Sequence, residues 1–225
     1  MERLIPGLLM VVLWVLLLFL APPVIFWFVI LLGAAVALGE FFRMTGRVPS
    51  SGILTLSLAT TLIPVLAAAQ GSPEAVLIGT YLALLGLAVL VISFYTRFAD
   101  PLAFLLSSGF SVFYIALSSS FIVLLRFMPE GSSWLLLLTA VTAGSDTGAY
   151  YAGRAFGRRK LCPSISPGKT LNGALGGILA AVLAVVLIGC FLLPEVSSVK
   201  LALTAALLAV VGIVGDLTES IIKRG

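Results

Sequence analysis

Four polar side chains near the end of the sequence, Asp216, Glu219, Ser220 and Lys223, recur at i, i+3, i+4 and i+7. That spacing places them on one face of a helix. Two carboxylates, a hydroxyl and an ammonium on one face could hold a hard divalent cation beside a phosphate. Lys223 and Arg224 also fit a basic pair at the end of a membrane span, but that reading leaves Asp216, two turns deeper, without an explanation. Another carboxylate, Asp146, lies within Gly144-Ser145-Asp146-Thr147-Gly148, inside an otherwise apolar run. A charge there is costly to bury and calls for a cation or a polar partner. The competing reading is a packing helix, because Gly144, Gly148 and Ala152 recur every four residues and permit a close neighbour. Glu40, three residues before Arg43, reads as an interfacial ion pair.

Between these carboxylates runs a segment rich in Gly, Pro and basic residues, from Gly153 to Thr170, carrying Arg154, Arg158, Arg159, Lys160 and Lys169. Such a loop could offer amides, hydroxyls and cations to a polyphosphate, although the topology of a membrane protein would also place basic residues there. Gly168-Lys169-Thr170 invites a P-loop reading. The first glycine of that motif would fall at Pro163, and no strand is expected before it, so the motif is rejected. The chain has no histidine. A Ser-His-Asp triad and a His-ligated zinc are therefore excluded. Two cysteines, Cys162 and Cys190, are too few for a Cys-rich metal site.

The elements that must position these groups follow from composition. Of 225 residues, 61% are hydrophobic and 10% charged, with a mean hydropathy of +1.23. A soluble domain carries roughly a quarter charged residues, so the solvent here must be lipid. Eight apolar runs are expected to form spans: Leu4–Leu20, Val24–Phe42, Ile53–Ala69, Ala75–Tyr95, Leu102–Leu125, Trp134–Tyr151, Leu171–Leu193 and Leu201–Ile222. The first leads straight into the second and lacks a small-residue cleavage site, so it reads as retained. Pro64 is expected to kink the third, and serines blur the ends of the fifth. The fold class is thus an all-α polytopic bundle. Its N-terminal spans occupy 1–130; a catalytic region, 131–225, holds spans six to eight and a basic loop at 152–170. Of 13 basic residues, all but Arg126 and Lys200 fall on the side of the N-terminus and the even-numbered loops. The positive-inside rule makes that side cytoplasmic.

Three blocks together resemble the phosphatidate cytidylyltransferases, also called CDP-diacylglycerol synthases. The first is Asp146-Thr147-Gly148-Ala149-Tyr150 with Gly153 and Phe156-Gly157. The second is Lys160-Leu161, Pro163 and Ser166-Pro167-Gly168-Lys169-Thr170 with Gly173 and Gly176-Gly177. The third is Gly215-Asp216-Leu217-Thr218-Glu219-Ser220 with Lys223-Arg224. They cover about 80 residues in the family's order and spacing.

The resemblance implies that CTP and phosphatidic acid give CDP-diacylglycerol and diphosphate at a multi-pass site on the cytoplasmic face of the inner membrane. It implies Mg²⁺ on Asp216, with Asp146 nearby and Glu219 as a further ligand, and leaves room for a monovalent cation such as K⁺. Lys223 and Arg224 would bind phosphate. Lys169, Ser166, Thr170, Ser220 and Lys160 would contact the nucleotide or the lipid phosphate. The expected partners are CTP, phosphatidic acid and bilayer lipid; a homodimer is left open, and no nucleic acid is expected. A CTP-dependent lipid kinase, another lipid cytidylyltransferase and, from a different class, a small ion-coupled transporter are the alternatives. The family signature continues past Ser220–Arg224 into a Pro-Gly-His-Gly-Gly block, a second metal-binding Asp and a ninth helix. This sequence stops at Gly225. It therefore reads as a C-terminally shortened member, expected to fold as an eight-span bundle with little or no activity.

Overall fold

A computed structural model of the chain describes residues 4–45 and 48–222. Lys223 and Arg224, named above, lie outside the described residues, as do two further basic residues, Arg3 and Arg47. The chain divides into two compact units, Met1–Ser132 and Ser133–Gly225.

All eight apolar runs form helices. In the first unit these are α1 (Leu4–Phe19), α2 (Pro23–Thr45), α3 (Ser51–Thr61), α4 (Ile63–Ala67), α5 (Pro73–Ser93), α6 (Pro101–Ser111) and α7 (Ser118–Phe127). Their starts follow local chemistry. Ser72 caps α5 ahead of Pro73, and Asp100 caps α6 ahead of Pro101, its carboxylate accepting from the Ala103 amide at 2.9 Å. Each cap satisfies an otherwise orphaned amide, and proline fits the first turn because it has no amide to lose. The third run breaks at Leu62, just ahead of Pro64, into α3 and α4. The fifth is continuous from Pro101 to Phe127, with a π-helical segment, Val112–Leu117, between α6 and α7.

Buried hydroxyls in this unit turn back on their own helices. Ser57, Thr80, Ser108 and Ser120 donate to the carbonyls of Ile53, Val76, Phe104 and Ala116, each at 2.7–2.8 Å. In lipid a polar group needs an internal partner, and the carbonyl four residues back is the nearest. The core is aromatic at one end: Phe104 stacks on Phe42 and lies 4.6 Å from Phe98, centroid to centroid.

The second unit holds most of α8 (Gly131–Phe156), then β1 (Lys160–Cys162), β2 (Ser166–Thr170), α9 (Leu171–Leu192) and α10 (Ser198–Ile222). Its core is thin and made by three helices: Leu137 and Val141 of α8, Ala181 and Val185 of α9, and Leu201, Ala205 and Ala209 of α10. On α9, Leu175, Leu179, Leu183 and Leu187 recur every four residues and stay more than half exposed. That stripe is the face a lipid-solvated helix leaves for acyl chains.

Two expectations are corrected here. The basic segment is not a loop from 152: nothing stops α8 before Phe156, and the remainder folds back as an antiparallel β-hairpin, pairing Lys160 with Thr170 and Cys162 with Ser166. A strand therefore does precede Pro163. The P-loop reading still fails, because Gly168-Lys169-Thr170 lies in β2 and not in a loop ahead of the helix.

Among the described residues, six helices are long and apolar enough to span a bilayer: Pro23–Thr45, Ser51–Gln70, Pro73–Ser93, Pro101–Phe127, Leu171–Leu192 and Ser198–Ile222. Leu9–Phe19 is a shorter apolar helix. The 26 residues of α8 are long enough, but Ser132, Ser133, Thr139, Thr142, Ser145, Asp146 and Thr147 dilute their hydropathy. The protein is an all-α, multi-pass membrane protein with one small hairpin.

Candidate active site

Small residues let α8 and α9 meet. A Cβ built on Gly148 would lie 2.6 Å from the Gly176 carbonyl oxygen, and one on Gly177 would lie 2.7 Å from the Ser145 carbonyl oxygen. Neither position has room for a side chain. The four-residue recurrence of Gly144, Gly148 and Ala152 is thus a packing seam, answered on α9 by glycines of its own.

Above that seam the hairpin closes over the helix ends. Gly157 terminates α8, its amide bonding to the Gly153 carbonyl at 3.0 Å. Thr170 ends β2 and caps α9, its buried hydroxyl oxygen accepting from the Gly173 amide at 3.1 Å. Asn172 donates to the Phe156 carbonyl, tying the first turn of α9 to the last turn of α8.

These contacts enclose a cleft of about 500 Å³. Its wall carries two carboxylates, Asp146 and Asp216, and three cations, Arg154, Lys160 and Lys169. Lys169 Nζ lies 2.8 Å from Asp216 Oδ2, joining β2 to α10 across 47 residues of sequence. The lysine side chain is 30% exposed and the aspartate 51%. An ion pair so open to solvent is worth about 1 kcal/mol at most, so either member can exchange its partner at little cost. Asp146 lies within electrostatic reach of both Asp216 and Lys169.

Of the residues singled out from sequence, the cleft gathers Asp146, Asp216, Lys160, Lys169 and Thr170. It does not gather Ser166, which lies in β2 away from the wall, nor Glu219 on the exposed side of α10. Ser220 is also off the wall; its hydroxyl donates to the Asp216 carbonyl at 2.8 Å. Among the described residues no three Asp, Glu or Cys side chains converge as a metal cluster. The wall also carries Tyr150 and Arg154, to which the sequence assigned no individual role. With Asp146 they stand at i, i+4 and i+8 on α8, a helical stripe that was readable from the sequence.

The three elements that build this cleft are the three blocks that carry the family resemblance. The family description "Cytidylyltransferase family" matches residues 1–225. A phosphatidate cytidylyltransferase of Pseudomonas aeruginosa is 39% identical over 104 residues, covering 46% of this chain and 38% of that protein. One of Bacillus subtilis is 33% identical over 112 residues, covering 49% and 42%. An uncharacterized protein of Escherichia coli, YnbB, is 38% identical over 94 residues, covering 42% and 31%. The alignments thus take in about a third to two fifths of these curated relatives. The chain belongs to the cytidylyltransferase family.

Proposed function

We propose that this member of the cytidylyltransferase family joins the cytidylyl group of CTP to phosphatidic acid, releasing diphosphate. The observation that carries the reading is the convergence of Asp146, Asp216 and Lys169, from three separate segments, on one cleft. An oxygen of the lipid phosphomonoester attacks the α-phosphorus of CTP. The bond from that phosphorus to the oxygen bridging to the β-phosphate breaks, and diphosphate leaves with the electron pair. The nucleophile is already an anion, so no strong base is required and the absence of histidine is no handicap. The obstacle is repulsion between anions, which cations and positioning overcome.

The donor set suits Mg²⁺, which binds through one or two carboxylates and completes its shell with substrate phosphates and water. Asp216 and Asp146 would hold it. When bound, the ion supplies charge neutralisation to the phosphates in transfer. Lys169, released from its exposed pair with Asp216, binds a substrate phosphate. Thr170 holds β2 against α9, and so fixes where Lys169 starts. Lys160 faces the same cleft, and Lys223 and Arg224 add phosphate-binding charge. By the positive-inside rule, the N-terminus and the even-numbered loops, whose sequence carries eleven of the 13 basic residues, face the cytoplasm, where CTP is found, from the inner membrane. Phosphatidic acid enters from the adjoining leaflet.

CTP labelled at the α-phosphorus should transfer its label to a lipid that migrates as CDP-diacylglycerol. Label arriving in lipid only from the γ-position would identify a kinase and overturn the reading. Cysteine-accessibility labelling of the 160–170 hairpin tests the orientation; a hairpin accessible only from outside would overturn it.

A further inference from the structure

The cleft has two chemically different ends. Asp146, Tyr150 and Arg154 follow one another at four-residue steps along α8, and all three line it. At 1.5 Å per residue the first and last stand about 12 Å apart along the axis. At the Asp146 end, Lys169 and Asp216 neutralise each other. At the other end, Arg154 and Lys160 form no ion pair among the described residues.

What holds Arg154 is a neutral group. Its Nη1 donates to the Tyr150 hydroxyl oxygen at 3.1 Å, one helical turn back. The Tyr150 ring meets that of Tyr151 edge-on, 5.3 Å between centroids. A carboxylate in place of the phenol would cancel the guanidinium charge, whereas a phenol oxygen fixes its direction and leaves the charge intact. The remaining N–H groups of the planar fork suit two oxygens of a phosphate. Lys160, entering from β1, adds a second cation on the same wall.

We propose that Arg154, with Lys160, binds the diphosphate portion of the nucleotide, and that Tyr150 is the positioning residue that aims it. The proposal rests on the cytidylyl-transfer reading above. The shared chemistry is a phosphate oxyanion, which the nucleotide or the lipid could bring. Arg154 sits in the last turn of α8, beside the polar hairpin and away from the apolar length of the helix. A lipid phosphate is tethered near that apolar length by its acyl chains; the outer phosphates of a nucleotide are not. Two uncompensated cations also match the greater charge of a diphosphate.

The test uses the whole chain in detergent with Arg154→Gln, Tyr150→Phe and Arg158→Gln. Arg158 is exposed and off the cleft wall, so its variant removes the same charge nearby. Kinetics would follow KM for CTP and for phosphatidic acid and inhibition by inorganic diphosphate; calorimetry would follow diphosphate binding directly. Losing a charged hydrogen-bonding group should raise the diphosphate inhibition constant and the KM for CTP about tenfold in Arg154→Gln, with the KM for phosphatidic acid unchanged. Tyr150→Phe, which removes one oxygen, should raise the same two constants about threefold with kcat preserved. Equal weakening by Arg158→Gln would show diffuse loop charge and overturn the proposal. So would a shift confined to the phosphatidic acid KM, or an unaltered Tyr150→Phe. A chain that makes no CDP-diacylglycerol would bear on the transfer reading alone, not on this site. The calorimetric comparison of Arg154→Gln with Arg158→Gln still decides the site.

Discussion

Both units of this protein are built mainly from apolar helices, yet their charged and polar side chains differ in what they reach. In residues 1–132 the buried hydroxyls are absorbed by backbone carbonyls one turn back in their own helices. In residues 133–225 Thr139, Thr218 and Ser220 bond back in the same way, but Lys169 reaches Asp216 and Asn172 reaches Phe156 across elements, with Thr170 capping the start of α9. A hydroxyl satisfied within its own helix stabilises the backbone and offers nothing to a ligand. A charged pair between a hairpin and a helix, half open to water, can be re-partnered. Glycine makes the second arrangement possible, because α8 and α9 approach closely enough for the hairpin to close over their ends.

The widest gap between the units should appear in Asp216→Asn. It removes a charge from the cleft with almost no change in shape and releases Lys169. Loss of one such electrostatic group commonly costs about 10²–10³-fold in turnover. Radiolabelled product formation should fall by that order while gel-filtration behaviour is unchanged. Activity near that of the unaltered protein would remove Asp216 from the site.

Next in size is the seam. Gly176→Val should destabilise the protein by about 1–3 kcal/mol, since even a Cβ there would collide with Ala152. Gly33→Ala is the counterpart in the first unit. A Cβ on Gly33 meets nothing within 4 Å, and alanine should be neutral or stabilising by up to about 1 kcal/mol. Thermal unfolding in one detergent compares the two. A Gly176→Val protein as stable as Gly33→Ala would contradict the close crossing.

Smaller effects separate a cap from a back-bonded hydroxyl. Thr170→Ala should cost about 1 kcal/mol by uncapping α9 and should raise the KM for CTP, because β2 carries Lys169. Ser108→Ala removes a bond within α6 and should cost about 0.6 kcal/mol with no kinetic change. A kinetic effect of Ser108→Ala exceeding that of Thr170→Ala would reverse the contrast between the units.

Hydropathy and breaker residues were sufficient for much of this. The eight helices, the break near Pro64 and the Gly144–Gly148–Ala152 face could all be read from the chain, because apolar length, proline and small-residue spacing act locally. The residue types at the site, Asp146, Lys169 and Asp216, stood out for a similar reason: charge in an apolar setting is rare and costly. Other features depended on contacts that no local pattern carries. The hairpin at 160–170 escaped because its strands are three and five residues long, polar and held by pairing with each other. Spacing along α10 groups Asp216 with Glu219 and Ser220, whereas the cleft takes Asp216 alone from that turn. Spacing along a helix defines a shared face, but the neighbour packed against it selects which residue meets the cavity. The partnership of Lys169 with Asp216, 47 residues apart, arises in the same way. It exists only once α9 and α10 have packed and the glycine seam has drawn α8 and the hairpin over their ends.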